Sequence, residues 1–205
     1  MGKAVEGMSV ISSRERLVEA TRELLWEHGY TSTSPAEIRT RAAVGQGSMY
    51  HHFPTKVDLA AEAMLRNSAE LEQGMDAYLN EAPSPSQGVR SYLSKPRDGK
   101  KGCRFGRMTL DNAVVENERL RAPVANSLTW YRQRIEQLLI DGQKLGELRD
   151  DFSSEAVAAA IIAIVQGAHV MARADQSQTS FDRVIEGGLI LLEGLSLART
   201  ARTDR

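Results

Sequence analysis

The stretch from Gly29 to Lys56 constrains the fold more than any other, because it stops and restarts the chain several times in a short span. Gly29 can take the positive φ that ends a helix. Ser34-Pro35-Ala36-Glu37 reads as a capping box with proline at the first helical position, where its missing N–H costs nothing. Pro54 halts the segment that opens at Gln46. Two short helices, over 35–43 and 46–53, are therefore expected, with only a few residues between them. A longer helix precedes them. Ser12-Ser13-Arg14-Glu15 is another capping box, and Leu17, Ala20 and Leu24, flanked by Val18 and Leu25, recur at helical spacing. Two short helices joined tightly behind a longer brace are the geometry of a helix-turn-helix, whose second helix enters the major groove.

That geometry asks for particular residue types. Ile38, Ala42, Val44 and Met49 supply the apolar or small side chains that hold the short helices together. Gly47 and Ser48 are small enough for close approach to a duplex. Gln46 can pair with adenine in bidentate fashion, and free N–H groups at the helix start favour phosphate.

In order, Thr33, Ser34, Glu37, Ile38, Ala42, Val44, Gly47, Ser48, Met49, Tyr50, His52, Phe53, Thr55 and Lys56 reproduce a known pattern. The stretch resembles the DNA-binding domain of the TetR family of bacterial regulators. The specific match covers about the first quarter of the chain; the rest agrees in layout. The resemblance implies an all-α fold, with a three-helix DNA-binding domain followed by a helical ligand-binding and dimerisation domain. It implies Gln46, Ser48 and His51 at base edges, Gly47 at the close approach, and Ser34, Tyr50, His52 and Lys56 at phosphates. It also implies double-stranded operator DNA and a small-molecule effector as partners, with repression the favoured mode. Ala43 stands where the family has glycine, Gly45 where it has serine or threonine, and Arg39 where it has alanine. Gly45 rather than Ala43 is expected to let the turn close. The lost serine removes a cap from the recognition helix, and Arg39 adds a cation suited to a backbone contact.

Composition narrows the alternatives. A net charge of −1 rules out bulk basic character, so any nucleic-acid footprint must be local. Cys103 is the single cysteine, which leaves no disulfide framework or cysteine-cluster zinc site and suits a reducing cytoplasm. The first residues do not look like a signal peptide. The apolar run 156–171 is broken by Gln166 and His169 and falls short of the roughly 20 residues of a membrane span. Downstream of a long helix from Lys56, helices are expected over 89–93, 103–115, 118–144, 154–174 and 180–198. Pro123 should bend the 118–144 helix or reset its start. This gives about nine helices, divided as a flexible arm 1–11, a DNA-binding domain 12–56, a ligand-binding and dimerisation domain 57–200, and a tail 201–205.

Cys103, Phe105, Met108, Trp130, Tyr131, Gln166 and His169 are candidates to line a largely apolar ligand cavity, the alternative for each being core packing. A glutamine and a histidine inside the most apolar helix need partners. Cys103 reads either as a small core residue or, beside Lys100, Lys101 and Arg104, as a reactive thiol. Ala156, Ala159, Ala160, Ala163, Gly167 and Ala168, with Gly187, Gly188 and Gly194, give the last two helices small-residue faces suited to a homodimer built as a four-helix bundle. His51 and His52 point about 100° apart on a helix and do not share a metal ion. No cofactor is implied, and no catalytic signature stands out. The rival readings are a ligand-independent architectural DNA binder and a helical enzyme.

Overall fold

A computed structural model describes residues 11–197. The expected tail and all of the arm but residue 11 lie outside them. The described residues form ten helices: α1 (Ser13–His28), α2 (Pro35–Ala42), α3 (Gln46–His52), α4 (Lys56–Asn80), α5 (Pro85–Ser94), α6 (Arg104–Met108), α7 (Asn112–Val115), α8 (Glu118–Lys144), α9 (Ser154–Asp175) and α10 (Gln178–Glu193). No strand occurs among them, apart from a single antiparallel bridge between Leu148 and Ser196.

Local chemistry sets most boundaries. Ser12, Ser34, Ser84 and Ser153 each accept the backbone N–H three residues on, opening α1, α2, α5 and α9. The complete capping box stands at Thr55–Asp58, opening α4. At the two sites where the sequence suggests one, the glutamates face elsewhere: Glu15 to Arg66 and Glu37 toward His28. Pro123 neither resets nor breaks α8.

Three expectations need correction. The helix expected over 103–115 is two short ones, because Asp111 caps α7 and also ties down Thr31 in the N-terminal domain; this raises nine helices to ten. The helix expected over 89–93 starts earlier, at Pro85, behind Ser84. The last helix ends at Glu193 rather than near 198, with Gly194 as its cap instead of a mid-helix residue. Residues beyond it pair with the 147–149 segment, Arg149 N–H donating to Leu195 O at 2.9 Å and Leu197 N–H to Glu147 O at 3.2 Å.

Two apolar cores result. One packs α1 to α4 with Phe105, Met108, Val114, Leu120 and Val124, so the reading head and the segment around α6 share one interior. The other joins the end of α4 to α5, α8, α9 and α10 around Val89, Ile135, Leu139, Ala158 and Val165. α9 is long and apolar enough in composition to cross a membrane, but here its apolar side packs on α8 and α10.

Candidate nucleic-acid interface and ligand chamber

The turn before α3 is closed by Ala43, which takes the left-handed conformation at φ 51° and ψ 50°. Ala43 N–H donates to Thr40 O at 3.2 Å and Val44 N–H to Arg39 O at 3.0 Å. That pair of bonds is a Schellman motif, and it demands positive φ at residue 43. Gly45 is ordinary extended backbone at φ −70°, so the expectation that it absorbs the turn is overturned. As expected from the missing serine, α3 has no side-chain cap.

Met49 and Phe53 are buried and fix the rotation of α3. The opposite face is thereby turned outward: Gln46, Gly47, Tyr50 and His51 are exposed, while Ser48 and His52 are half-buried. A Cβ added to Gly47 would meet nothing, so internal packing does not dictate its size. His51 and His52 meet edge to face, centroids 5.3 Å apart. Ser34 is exposed, its Oγ accepting from Glu37 N–H at 3.1 Å. Lys56 faces inward: its ammonium donates to Tyr30 O at 2.6 Å and lies 4.0 Å from the Tyr30 ring centroid. Burial draws its pKa down, against the opposing pull of Asp111. Arg39, half-buried on α2, has no carboxylate partner among the described residues.

The reading head is stitched to the rest of the molecule by the 102–111 segment. Trp26 Nε1 donates to Gly102 O at 2.9 Å, and the Lys101 and Arg104 cations lie over the Trp26 ring at 3.5 and 4.0 Å. Arg104 also pairs with Glu23 at 2.8 Å. Asp111 accepts from Thr31 N–H at 2.7 Å and from its hydroxyl at 2.6 Å. Burial pushes the Asp111 carboxyl up, but these bonds outweigh it and hold the group below the usual range.

That same segment walls two adjoining chambers. One, of about 340 Å³, lies between Trp26, Tyr92, Arg97, Phe105, Tyr131 and Ile162. The other, of about 620 Å³, is more open and reaches Arg107, Asp111 and Arg173. Gly102, Cys103, Leu128, Gln166 and His169 line both. Of the candidates read from sequence, Cys103, Phe105, Tyr131, Gln166 and His169 therefore come together. Met108 does not: it sits in the first core beside a void of about 10 Å³. Trp130 lines neither chamber and packs edge-on against Tyr131. Gln166 Nε2 lies 3.5 Å from Cys103 Sγ, and His169 Nδ1 lies 3.3 Å from Gly99 O. Burial holds the His169 imidazole below its usual pKa. Lys101 and Arg104, read as neighbours that could activate Cys103, are engaged by Trp26 and Glu23. No group of three metal-ligating side chains occurs among the described residues.

Sequence reasoning did not single out Trp26, Tyr92, Arg97 or Asp111. Arg97 lay in a charged loop. Asp111 carried a usable signal, since Asp followed by Asn-Ala-Val is a helix-start pattern.

A recognition helix presented on a small three-helix head, wired to a helical body with internal chambers, defines a helix-turn-helix regulator. Residues 17–63 match the family described as bacterial regulatory proteins, tetR family, and residues 86–187 match the tetracyclin repressor-like C-terminal domain. The chain belongs to the TetR family of transcriptional regulators. It is 23% identical to the HTH-type transcriptional repressor DhaR of Mycobacterium sp. (strain GP1), over 84% of this chain and 88% of that protein. It is 27% identical to the transcriptional regulator AcuR of Cereibacter sphaeroides, over 78% and 76%. In fold it is similar to a TetR-family regulator from Cytophaga hutchinsonii, with a TM-score of 0.82 at 21% identity over 91% of this chain and 96% of that one. Reduced NemR from E. coli gives a TM-score of 0.80 at 18% identity over 93% and 100%.

Proposed function

We propose that this DNA-binding regulator is a homodimeric repressor, released from a near-palindromic operator by a small ligand in the chamber behind α6. The observation that carries the reading is the shared wall. Gly102 and Arg104 line the 340 Å³ chamber, Asp111 lines the larger one, and all three hold α1 or the turn before α2. A ligand that displaces this segment shifts the head that carries α3, without needing a relay through α4 alone. Linkage then requires ligand and operator to weaken each other by the same factor. A fully packed interior would instead have favoured an architectural protein; the chambers favour an effector.

On DNA, Gln46, Ser48 and His51 read base edges, Gly47 permits the approach, and Ser34, Tyr50 and His52 take phosphates. Lys56 joins them only by leaving the Tyr30 carbonyl, and Arg39, which has no carboxylate partner among the described residues, is a further cation for the DNA backbone. Dimerisation uses the outward faces of α9 and α10. Ala156, Ala159, Ala160 and Ala163 are exposed, as are Val170, Met171, Ile190 and Leu191. Ala168 and Gly188 belong to the intrachain packing instead, Gly188 standing where a Cβ would lie 3.0 Å from Ile164. The protein works in the cytoplasm, beside the chromosome.

The test is anisotropy with labelled duplexes at moderate salt. The region upstream of the protein's own gene should bind at least about 10³-fold tighter than random duplex, the lower end of specific recognition. Equal affinity for the two overturns the reading.

A further inference from the structure

Arg97 is the unusual residue of the smaller chamber. Its Nη1 donates to Leu93 O at 3.2 Å and Lys95 O at 2.9 Å, and its Nη2 to Tyr92 O at 2.7 Å. The guanidinium also lies 4.9 Å from the Tyr92 ring centroid. These contacts use three of five N–H groups. No further acceptor for the Nε–H or the remaining Nη2–H is found among the described residues, so donors remain that a carboxylate can take. No carboxylate forms an ion pair with Arg97 among the described residues, although burial lowers its pKa. The ionisable groups acting on it are Tyr92, Cys103, Tyr131, Tyr78 and His169, none of them a carboxylic acid. The other charged side chains on the wall have contacts of their own. Arg104 pairs with Glu23 at 2.8 Å, the Lys95 ammonium lies 3.8 Å from the Tyr78 ring centroid, and the Asp98 carboxylate accepts from Lys101 N–H at 2.9 Å. The chamber thus combines an aromatic and aliphatic lining with two cations, Arg97 and Lys95, that form no ion pair among the described residues, and Arg97 is the one whose planar donors suit a carboxylate.

We propose that this chamber binds a small organic carboxylate, its anion on the remaining N–H donors of Arg97 and its apolar body against Tyr92, Phe105, Tyr131 and Ile162. A volume of about 340 Å³ suits a body the size of a phenyl ring and lies near the low end for ligand pockets. A guanidinium in a partly open, largely apolar site discriminates an acid from its isosteric amide, because the amide brings no charge and presents N–H groups to N–H groups. The proposal rests on the effector-release reading for its role, but its chemistry stands apart from it.

Purified full-length protein is titrated by calorimetry with benzoate, phenylacetate and butyrate, and with benzamide, phenylacetamide and butyramide. At least one acid should bind saturably and about tenfold or more tighter than its amide. Arg97→Gln should erase that preference, and Arg97→Lys should keep part of it. Modification of Cys103 by a maleimide should slow when the acid is bound, since Cys103 lines the same chamber. Arg97 also holds carbonyls at the end of α5, so circular dichroism must confirm that Arg97→Gln folds. Leu128→Phe leaves Arg97 intact, fills the chamber, and should abolish binding as well. The proposal is overturned if no acid binds, if acid and amide bind alike, or if the preference survives in Arg97→Gln. Binding that depends on Arg97 yet leaves operator affinity unchanged upholds the carboxylate site and sinks effector release. Operator release by a neutral compound, with no acid binding, does the reverse.

Discussion

Gly47 and Ala43 lie four residues apart and invert the usual roles of their types. Gly47 sits in a helix where alanine would be favoured by roughly 1 kcal/mol, and a Cβ there meets nothing inside the protein. Gly47→Ala should therefore leave thermal unfolding unchanged or slightly raised, while weakening operator binding about tenfold or more, roughly 1.4 kcal/mol, in an anisotropy titration. Undiminished affinity would mean that this face does not approach DNA closely. Ala43 is the opposite case, an alanine held at positive φ. Ala43→Gly should stabilise the protein by about 1 kcal/mol and raise Tm by a few degrees. A third residue gives a pH signature. His169 is buried and held below its usual pKa near 6.5. The unfolded chain then binds a proton before the folded one does. Its contribution is complete above about pH 6.5 and is lost as pH falls below that toward the folded value. Chemical denaturation from pH 7.5 to 5.5 should show this loss, and His169→Gln should flatten it. Serine caps and buried Ile38 and Met49 were legible in the sequence because they act within one turn or one helix face. The inward turn of Lys56 was not, because its acceptor is the carbonyl of Tyr30, far back in the chain. Nor was the backbone of Ala43, where the two bonds of the Schellman motif outweighed the presence of a nearby glycine.

Among elements, the 102–111 segment does the most with the least regular structure. α6 and α7 are single turns, yet between them and the preceding loop run the contacts to Trp26, Glu23 and Thr31. Asp111 is central, since one carboxylate both starts α7 and fixes the residues leading into α2. Asp111→Ala should cost about 2 kcal/mol, the usual scale for losing hydrogen bonds to a charged group. It should also blunt the effect of ligand on operator affinity while leaving operator binding itself in place; full ligand response in the variant would remove the segment from the switching route. The same residue explains why the sequence misled over 103–115. Helical spacing of apolar residues runs through it, and the break is imposed by a partner 80 positions away. The early end of α10 has a similar origin, in backbone bonds to 147–149 that no local pattern announces. Long helices such as α4, α8 and α9 were legible throughout, because their caps and apolar faces are local.

At the scale of the whole molecule, the described residues leave one broad face without an intrachain partner. Exposed alanines run along α9 at helical spacing, and Val170, Ile190 and Leu191 are 59%, 62% and 68% exposed. Small residues let helices approach closely, and a two-fold axis through such a face gives a four-helix bundle. In the proposed homodimer, two heads held by such a bundle can meet half-sites about 34–36 Å apart, or a multiple of that spacing, along one face of the duplex. The second head then binds at an effective concentration fixed by the first, a gain of roughly 10²–10⁴ in affinity. Ala163→Glu combined with Ile190→Glu places like charges on this face without touching either core. Light scattering should report a monomer, circular dichroism an unchanged helix content, and anisotropy a loss of operator affinity of that same size. Carboxylate binding in the chamber beside Arg97 should persist in the monomer, because the residues of that chamber come from a single chain. If the doubly substituted protein stays dimeric, the pairing surface lies elsewhere, and the spacing argument must be rebuilt on another face.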